Sequence, residues 1–235
     1  MKQRQRKLPL LLSISILLVF VIIAILFYIL MNSIDIKTDS HVVVDMSNED
    51  EAYSLKDIIH NSQKSIVKIE ASNNYQIKTG SGFLIDNNGY IVTNAHIIND
   101  ADSILVKLSN QQGYFPAAIV GVGEKDDIAV IHVKEFEHHE PIAMDPSYVG
   151  DIGDQVIAIG SPSDIENSVS LGLIVGTDHS FTIEPFEYKN LYQISASITH
   201  GNSGGPLVSQ HSGRVIGINA AGITDTDIGF SNPHY

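Results

Sequence analysis

The pattern of apolar and polar positions divides the chain into a long apolar stretch, a short acidic stretch and a series of strand-like segments. Residues 8–31 contain no charged side chain. As a helix they would measure about 36 Å, against about 30 Å for the hydrocarbon core of a bilayer. Cleaved signal peptides have apolar cores of only about 7 to 15 residues. We therefore expect residues 8–31 to form an uncleaved transmembrane anchor.

The chain after the predicted anchor is polar and acidic before apolar residues return at helical spacing. Residues 32–50 have the composition of a solvated tether. Ala52, Leu55, Ile58 and Ile59 then recur three and four positions apart, which predicts a short helix. We place the tether and the helix together at residues 32–59.

Residues 60–235 alternate short segments rich in Ile, Val and Phe with turn residues, and no long helical pattern separates them. This pattern of short strands and turns predicts an all-β barrel or sandwich. The segment 135–151 contains two prolines and several charges and marks a boundary between two halves of similar size. The predicted strands are 65–71, 81–86, 90–93, 104–108, 115–123, 128–133, 155–159, 169–175, 191–195, 206–208 and 215–219.

Charge and cysteine content narrow the functional classes. The chain has 14 basic and 27 acidic residues, a net charge of −13, and four of the basic residues lie in the segment 1–7. An excess of basic residues on one side of a membrane helix predicts that this side is cytoplasmic. The remainder carries 10 basic against 27 acidic residues, a net charge of −17, which argues against nucleic acid as a partner. With no cysteine, a disulfide scaffold and a thiol nucleophile are excluded.

The candidate chemistry centres on Ser203, which lies in the sequence Gly-Asn-Ser-Gly-Gly at residues 201–205. A serine hydroxyl needs a base to become a nucleophile and donors for the negative charge that develops on the substrate. Glycines allow backbone N–H groups to converge on one point. His96 and Asp127 precede the serine, each beside a predicted strand, and this is the chain order of the chymotrypsin triad.

Three motifs carry a resemblance to a known family. They are Thr93-Asn94-Ala95-His96, Asp126-Asp127-Ile128-Ala129-Val130 and Gly201-Asn202-Ser203-Gly204-Gly205-Pro206-Leu207. In order and spacing the chain resembles the HtrA (DegP-like) family of trypsin-like serine proteases, over about residues 60–232. The resemblance implies two chymotrypsin-like β-barrels at about 60–140 and 150–235, with the site between them.

The resemblance also implies a role for each site residue. Ser203 is the nucleophile, His96 the general base and acid, and Asp127 the group that orients the histidine. Asp127 matches the family position, whereas Asp126 is expected to be solvated or capping. The N–H groups of Gly201 and Ser203 are the expected oxyanion hole. No metal or cofactor is implied.

Residues around the predicted nucleophile indicate how specificity and activity are set. Ile198 and Gly222 align with positions that line the specificity pocket, which predicts a small or medium apolar side chain before the cut. Digestive trypsin-like enzymes have an aspartate where this chain has Asn202, so activation by zymogen cleavage is not expected. The segments 161–168 and 178–187 match loops that order and disorder in HtrA-type enzymes.

The serine motif and a pair of histidines allow other interpretations. Gly201-x-Ser203-x-Gly205 also fits the nucleophile elbow of α/β-hydrolases. That fold places its acid and histidine after the serine, and the 32 residues that remain are too few. His138 and His139 are interpreted as part of an exposed acidic loop rather than a metal site.

The expected function is a membrane-anchored, extracytoplasmic endopeptidase that cleaves unfolded or misfolded polypeptides in bacterial envelope quality control or stress response. HtrA proteins typically form trimers, so a homotrimer is an open expectation. They usually continue into PDZ domains, and we expect no PDZ domain here. The alternative is a truncated, weakly active or inactive homologue that binds unfolded chains at the membrane.

Overall fold

The computed structural model describes residues 54–109, 111–123, 125–161, 168–198, 201–222 and 228–233. The predicted anchor, residues 8–31, lies outside this set, and within the set no helix combines the length and hydropathy that crossing a membrane requires. The described residues contain two helices, α1 (Leu55–Gln63) and α2 (Ala95–Ile98). The strands are β1 (Ile66–Ser72), β2 (Ile77–Leu84), β3 (Asn88–Thr93), β4 (Ser103–Leu108), β5 (Phe115–Pro116), β6 (Ala118–Val122), β7 (Ala129–Glu137), β8 (Gln155–Gly160), β9 (Ser168–Ile183), β10 (Phe186–Ile194), β11 (Pro206–Ser209), β12 (Val215–Gly222) and β13 (Gly229–Pro233).

The all-β prediction is confirmed, and the second half closes into a barrel. Its six strands are ordered β10-β13-β12-β11-β8-β9, and the pairing of β9 with β10 completes the circle. Alternate residues of each strand point inward. These inward residues are hydrophobic, so the interior of the barrel is apolar. Members of this inner cluster include Val156, Ile174, Ile194, Leu207 and Ile216, all essentially inaccessible to solvent.

The first half is a seven-stranded antiparallel sheet whose hydrogen-bond ladder is not closed, and the expectation of a complete first barrel at about 60–140 stays a prediction. The strand order is β5-β4-β1-β2-β3-β7-β6. The two edge strands, β5 and β6, are consecutive in the chain and separated by Ala117 alone. Three successive Cα atoms span at most about 7 Å, so the sheet curls until its edges meet. The continuous segment 115–122 thus connects the two edges of the sheet, although no hydrogen-bond ladder connects them. Pro116, within the bend of this segment, has no backbone N–H to donate.

The two halves share a core of their own. This shared cluster takes Phe83 and Val92 from the first sheet and Ile157, Ile159 and Val208 from the barrel. Helix α1 covers one end of it through Ile58, which is 3% exposed. The side chain of Ser54 accepts a hydrogen bond from the backbone N–H of Asp57 and caps the helix. The predicted short helix is therefore present over Leu55–Gln63.

The predicted loop at 178–187 is instead the end of a long hairpin. Strand β9 continues to Ile183 and β10 begins at Phe186, with Phe181 directly opposite Tyr188 in the register. The rings of Phe181 and Tyr188 lie 5.1 Å apart between centroids, and Phe181 lies equally close to Phe230 on β13. Cross-strand aromatic pairs stabilise paired strands. This packing was not visible in a segment whose hydrophobic pattern is irregular.

Candidate active site

His96 and Asp127 are brought together by the pairing of two strands. Strand β3 ends at Thr93 and runs into helix α2, which carries His96, while β7 begins just after Asp127. Because Thr93 lies opposite Ala129 in the ladder, the histidine and the aspartate extend from the same end of the sheet. The Nδ1 atom of His96 is 2.8 Å from Oδ2 of Asp127 and 3.1 Å from Oδ1. The backbone N–H of His96 also donates to Oδ1, at 2.8 Å.

The backbone of Asp127 is held as firmly as its side chain. Its carbonyl oxygen accepts hydrogen bonds from the Ala95 N–H, at 3.2 Å, and from the Asn94 side-chain amide, at 2.9 Å. The residue has a φ of 50°, a left-handed conformation that aspartate tolerates better than most residues. Asp127 is 0% exposed, whereas the neighbouring Asp126 is exposed. Burial thus distinguishes the two aspartates, and the catalytic role of Asp127 stays a prediction.

Tyr188 of β10 also contacts the Asp127 carboxylate, and the sequence did not reveal this contact. Its hydroxyl donates to Oδ2 of Asp127 at 2.6 Å, and the side chain is buried. Burial, with the hydrogen bond to the carboxylate as a second cause, raises the pKa of the Tyr188 hydroxyl well above its ordinary value of 10. The phenol therefore stays protonated, and remains a donor, throughout the neutral range.

Ser203 lies in a tight loop that glycines make possible. Gly204 has a φ of 81°, and a Cβ there would meet the carbonyl oxygen of Ser81 and Oγ1 of Thr93. A Cβ on Gly205 would meet the carbonyl of Ile159. The loop can therefore sit directly on both halves only because these positions have no side chain.

The cleft beside Ser203 is shared with the histidine. Lys78, Thr79, His96, Ile97 and Ser203 line it. Within the described part of the chain, the His96 ring bonds to Asp127 and makes no hydrogen bond to Ser203. Catalytic hydrogen bonds are often long without substrate and shorten when it binds. A separate cleft, between α1 and the turn at 212–214, contains none of the predicted site residues.

Ser81 on β2 fixes the nucleophile loop. Its backbone N–H donates to the carbonyl of Ser203 at 2.9 Å, and its hydroxyl donates to the carbonyl of Gly201. The same hydroxyl accepts from the backbone N–H of Ser161 at 2.7 Å, and Ser81 is 0% exposed. None of the three sequence motifs includes Ser81, so the sequence assigned it no role.

The N–H groups predicted as the oxyanion hole belong to the same loop. Those of Gly201 and Ser203 make no hydrogen bond to any other described residue, while the carbonyls of both residues bond to Ser81. Two unoccupied donors beside the serine are what a developing oxyanion requires. The assignment of these groups to the oxyanion hole stays a prediction.

The predicted pocket residues are neighbours in the structure. A Cβ on Gly222 would meet the carbonyl of Ile198, and one on Gly229 would meet the Ile198 side chain. Asn202 is 1% exposed, and its side-chain amide donates to the carbonyl of Ser197 at 3.3 Å. Asn202 is therefore held without a charged partner among the described residues. The role of Ile198 and Gly222 in specificity stays a prediction.

The described residues contain no group of three His, Asp or Glu side chains placed to hold a metal ion. His139, one of the paired histidines considered above, stacks against Phe136 and lies 2.6 Å from the side-chain amide of Gln111. The side chains brought together at the site supply a hydroxyl, an imidazole and a buried carboxylate.

Comparison with known proteins agrees with this geometry. Residues 80–218 match the family described as the trypsin-like peptidase domain. The serine endoprotease DegS of Escherichia coli K12 is 38% identical over 169 residues, which cover 68% of this chain and 47% of DegS. A Buchnera aphidicola protein named "Probable periplasmic serine endoprotease DegP-like" is 41% identical over 160 residues, which cover 66% of this chain and 34% of its own. The chain thus spans about half the length of DegS and less of the DegP-like relative.

Proposed function

Because the chain belongs to the HtrA family of trypsin-like serine proteases, we propose that it is a serine endopeptidase whose triad is Ser203, His96 and Asp127. The observation that carries the proposal is the pairing of His96 with a fully buried Asp127 beside the cleft that Ser203 lines. A buried carboxylate bonded to Nδ1 fixes the tautomer that leaves Nε2 free to take a proton.

The proposed reaction proceeds in two halves. Ser203 Oγ attacks the scissile carbonyl while His96 Nε2 takes the hydroxyl proton, and the oxygen of the tetrahedral intermediate accepts hydrogen bonds from the N–H groups of Gly201 and Ser203. Loss of one such donor costs about 3 to 4 kcal/mol of transition-state stabilisation in comparable enzymes. The C–N bond then breaks, and His96 gives its proton to the leaving amine. Water, deprotonated by His96, attacks the acyl-enzyme ester; the bond between the acyl carbon and Ser203 Oγ then breaks, His96 returns the proton to Oγ, and the new carboxylate leaves.

The test is the degradation of a denatured protein such as casein by the full-length chain in detergent, compared with Ser203→Ala. A fluorophosphonate probe reports the same centre without requiring the right substrate, because it reacts with an activated serine. Labelling of the wild type that is lost in both Ser203→Ala and His96→Ala is the expected result. Equal casein turnover by wild type and Ser203→Ala would refute the proposal. Retention of denatured casein without cleavage would favour the membrane-tethered binder instead.

The substrate class is proposed as unfolded or misfolded polypeptide, as part of envelope quality control or a stress response, with a small or medium apolar residue before the cut. Ile198 beside Gly222 and Gly229 supports an uncharged pocket. Peptides that differ only in that residue test the preference, and equal cleavage after lysine and after valine would contradict it.

We also propose that residues 8–31 anchor the protease with its N-terminus in the cytoplasm. The basis is the uncharged stretch and the four basic residues before it. A reporter enzyme that is active only outside the cytoplasm, fused after residue 45, is expected to be active. Release of the full-length chain from membranes by alkaline carbonate would contradict the anchor. A homotrimer, as HtrA proteins typically form, is testable on the detergent-solubilised chain by analytical ultracentrifugation.

A further inference from the structure

The carboxylate of Asp127 is held from two halves of the molecule. Oδ1 accepts the backbone N–H of His96, and Oδ2 accepts both His96 Nδ1, at 2.8 Å, and the Tyr188 hydroxyl, at 2.6 Å. Asn94 bonds to the main chain of Asp127 and not to its carboxylate. Among the described residues, Tyr188 is therefore the one side chain besides His96 that donates to this group.

We propose that Tyr188 is a positioning residue of the triad: its hydroxyl fixes the rotation of the Asp127 carboxylate and draws part of its negative charge away from His96. The inference rests on the proposed function of the triad. A carboxylate with a donor on each oxygen cannot rotate without breaking one bond, and hydrogen bonds to a charged acceptor are roughly twice as strong as neutral ones.

Contacts of strand β10 hold the Tyr188 hydroxyl in place beside Asp127. The ring of Tyr188 packs against Phe181 on the other strand of the hairpin, and the tyrosine is 4% exposed. One residue earlier, the backbone N–H of Glu187 donates to the carbonyl of Lys125 at 2.8 Å. The hairpin therefore bonds at two points to the segment that carries the aspartate. A side chain held at both its ring and its hydroxyl loses little further entropy when it orients a partner.

Among the described residues, the other charged groups near the pair lie on β2, on the aspartate segment and on β10, where Lys189 forms a 2.7 Å ion pair with Glu187. Lys78 on β2 donates to the backbone carbonyl of His96 at 3.1 Å. On the aspartate segment, Asp126 is exposed, and Lys125 forms a 3.3 Å ion pair with Glu187 of β10. These groups are unchanged when the Tyr188 hydroxyl is removed, so a change in titration would report the lost hydroxyl.

The variant that tests the proposal is Tyr188→Phe, which removes one oxygen and keeps the ring. Tyr192→Phe is the matched control, because Tyr192 lies on the same strand, is also buried and accepts from the Gly150 N–H instead. We expect kcat for a peptide substrate to fall about 10- to 100-fold in Tyr188→Phe, the effect of one hydrogen bond to a charged group, with KM nearly unchanged and Tyr192→Phe close to wild type. The acid limb of the pH–rate profile should move to higher pH, because a carboxylate with one donor fewer stabilises the imidazolium more.

The expected change in the protonation of His96 can also be measured without substrate turnover. The ring signal of His96 is assigned by its absence from the NMR spectrum of His96→Gln. The pH midpoint of its titration should be higher in Tyr188→Phe than in the wild type, and this measurement does not require an active enzyme. Unchanged rate and titration would overturn the proposal, and so would a slower enzyme whose titration does not move, since that would mean a purely structural role. If Tyr188→Phe does not fold, 3-fluorotyrosine placed at 188 strengthens the donor and should move the titration to lower pH; no movement would again refute the role. Failure of Ser203→Ala to lose activity would instead refute the triad itself.

Discussion

The substitution Asp127→Asn tests the proposed triad most directly, and Asp126→Asn provides the control. Asp127→Asn keeps the size of a side chain that is 0% exposed, while Asp126→Asn makes the same change one residue away on an exposed side chain. Both variants remove one negative charge. Any difference between them therefore comes from the contacts of residue 127.

The magnitude follows from those contacts. The asparagine oxygen can still accept the His96 N–H where Oδ1 does now, which leaves the amide nitrogen facing His96 Nδ1 and the Tyr188 hydroxyl. Nδ1 must then become an acceptor, so the proton moves to Nε2 and the ring cannot take one from Ser203. The same substitution in the chymotrypsin triad lowers kcat about 10⁴-fold, which corresponds to about 5.4 kcal/mol. We expect a loss of that order here.

The assay is steady-state cleavage of a fluorogenic peptide together with the rate of fluorophosphonate labelling. Both should fall in Asp127→Asn and stay within about twofold of wild type in Asp126→Asn. KM should change little, because the aspartate does not contact substrate. Equal losses in the two variants, or a loss below about tenfold in Asp127→Asn, would refute the assigned role of the buried carboxylate.

Further outcomes concern the supports of the site and the stability of the barrel. Ser81→Ala leaves a buried carbonyl and a buried N–H without partners and should cost about 2 to 4 kcal/mol in urea unfolding, together with most of the activity; stability equal to wild type would contradict this. Gly204→Ala should destabilise by more than Gly113→Ala, since both have positive φ but only the Cβ at 204 meets other atoms; equal free energies of unfolding would show that the contacts do not matter. The hydroxyl of Tyr148, with a backbone N–H as a second donor, lowers the pKa of Asp154 below its ordinary 3.8. The stability that ionised Asp154 contributes is therefore present above about pH 4 and is lost as the pH falls through its lowered pKa, so Asp154→Asn should destabilise the protein at pH 7 and progressively less in acid; a difference that does not depend on pH would rule out the carboxylate as its source.

The residues that sequence reasoning identified are those whose signal is local. Ser203, His96 and Asp127 each lie in a short motif beside a predicted strand, so their chain order and neighbours were sufficient to propose them. Burial then distinguishes Asp127 from Asp126, in agreement with the position chosen from the motif.

The supporting residues were not predictable in this way, because their partners are distant in sequence. Tyr188 bonds to an aspartate 61 positions away, and Ser81 bonds to a glycine 120 positions away. Both depend on how the two halves pack, which periodicity does not report. The segment 178–187 was predicted as a loop for a related reason, since its pairing is stabilised by a contact with Phe230 of a third strand.

Strand β2 contacts both sides of the proposed site, so it links completion of the site to the packing of both halves. Lys78 at its start bonds to the carbonyl of His96, and Ser81 three residues later bonds to Gly201 and Ser203. The hydrogen bonds from Ser81 to the nucleophile loop, and the one from Tyr188 to Asp127, form only when the second barrel docks against the first half. Synthesis from the N-terminus makes residues 96 and 127 available before residue 203, so these contacts between the halves can form only late in synthesis.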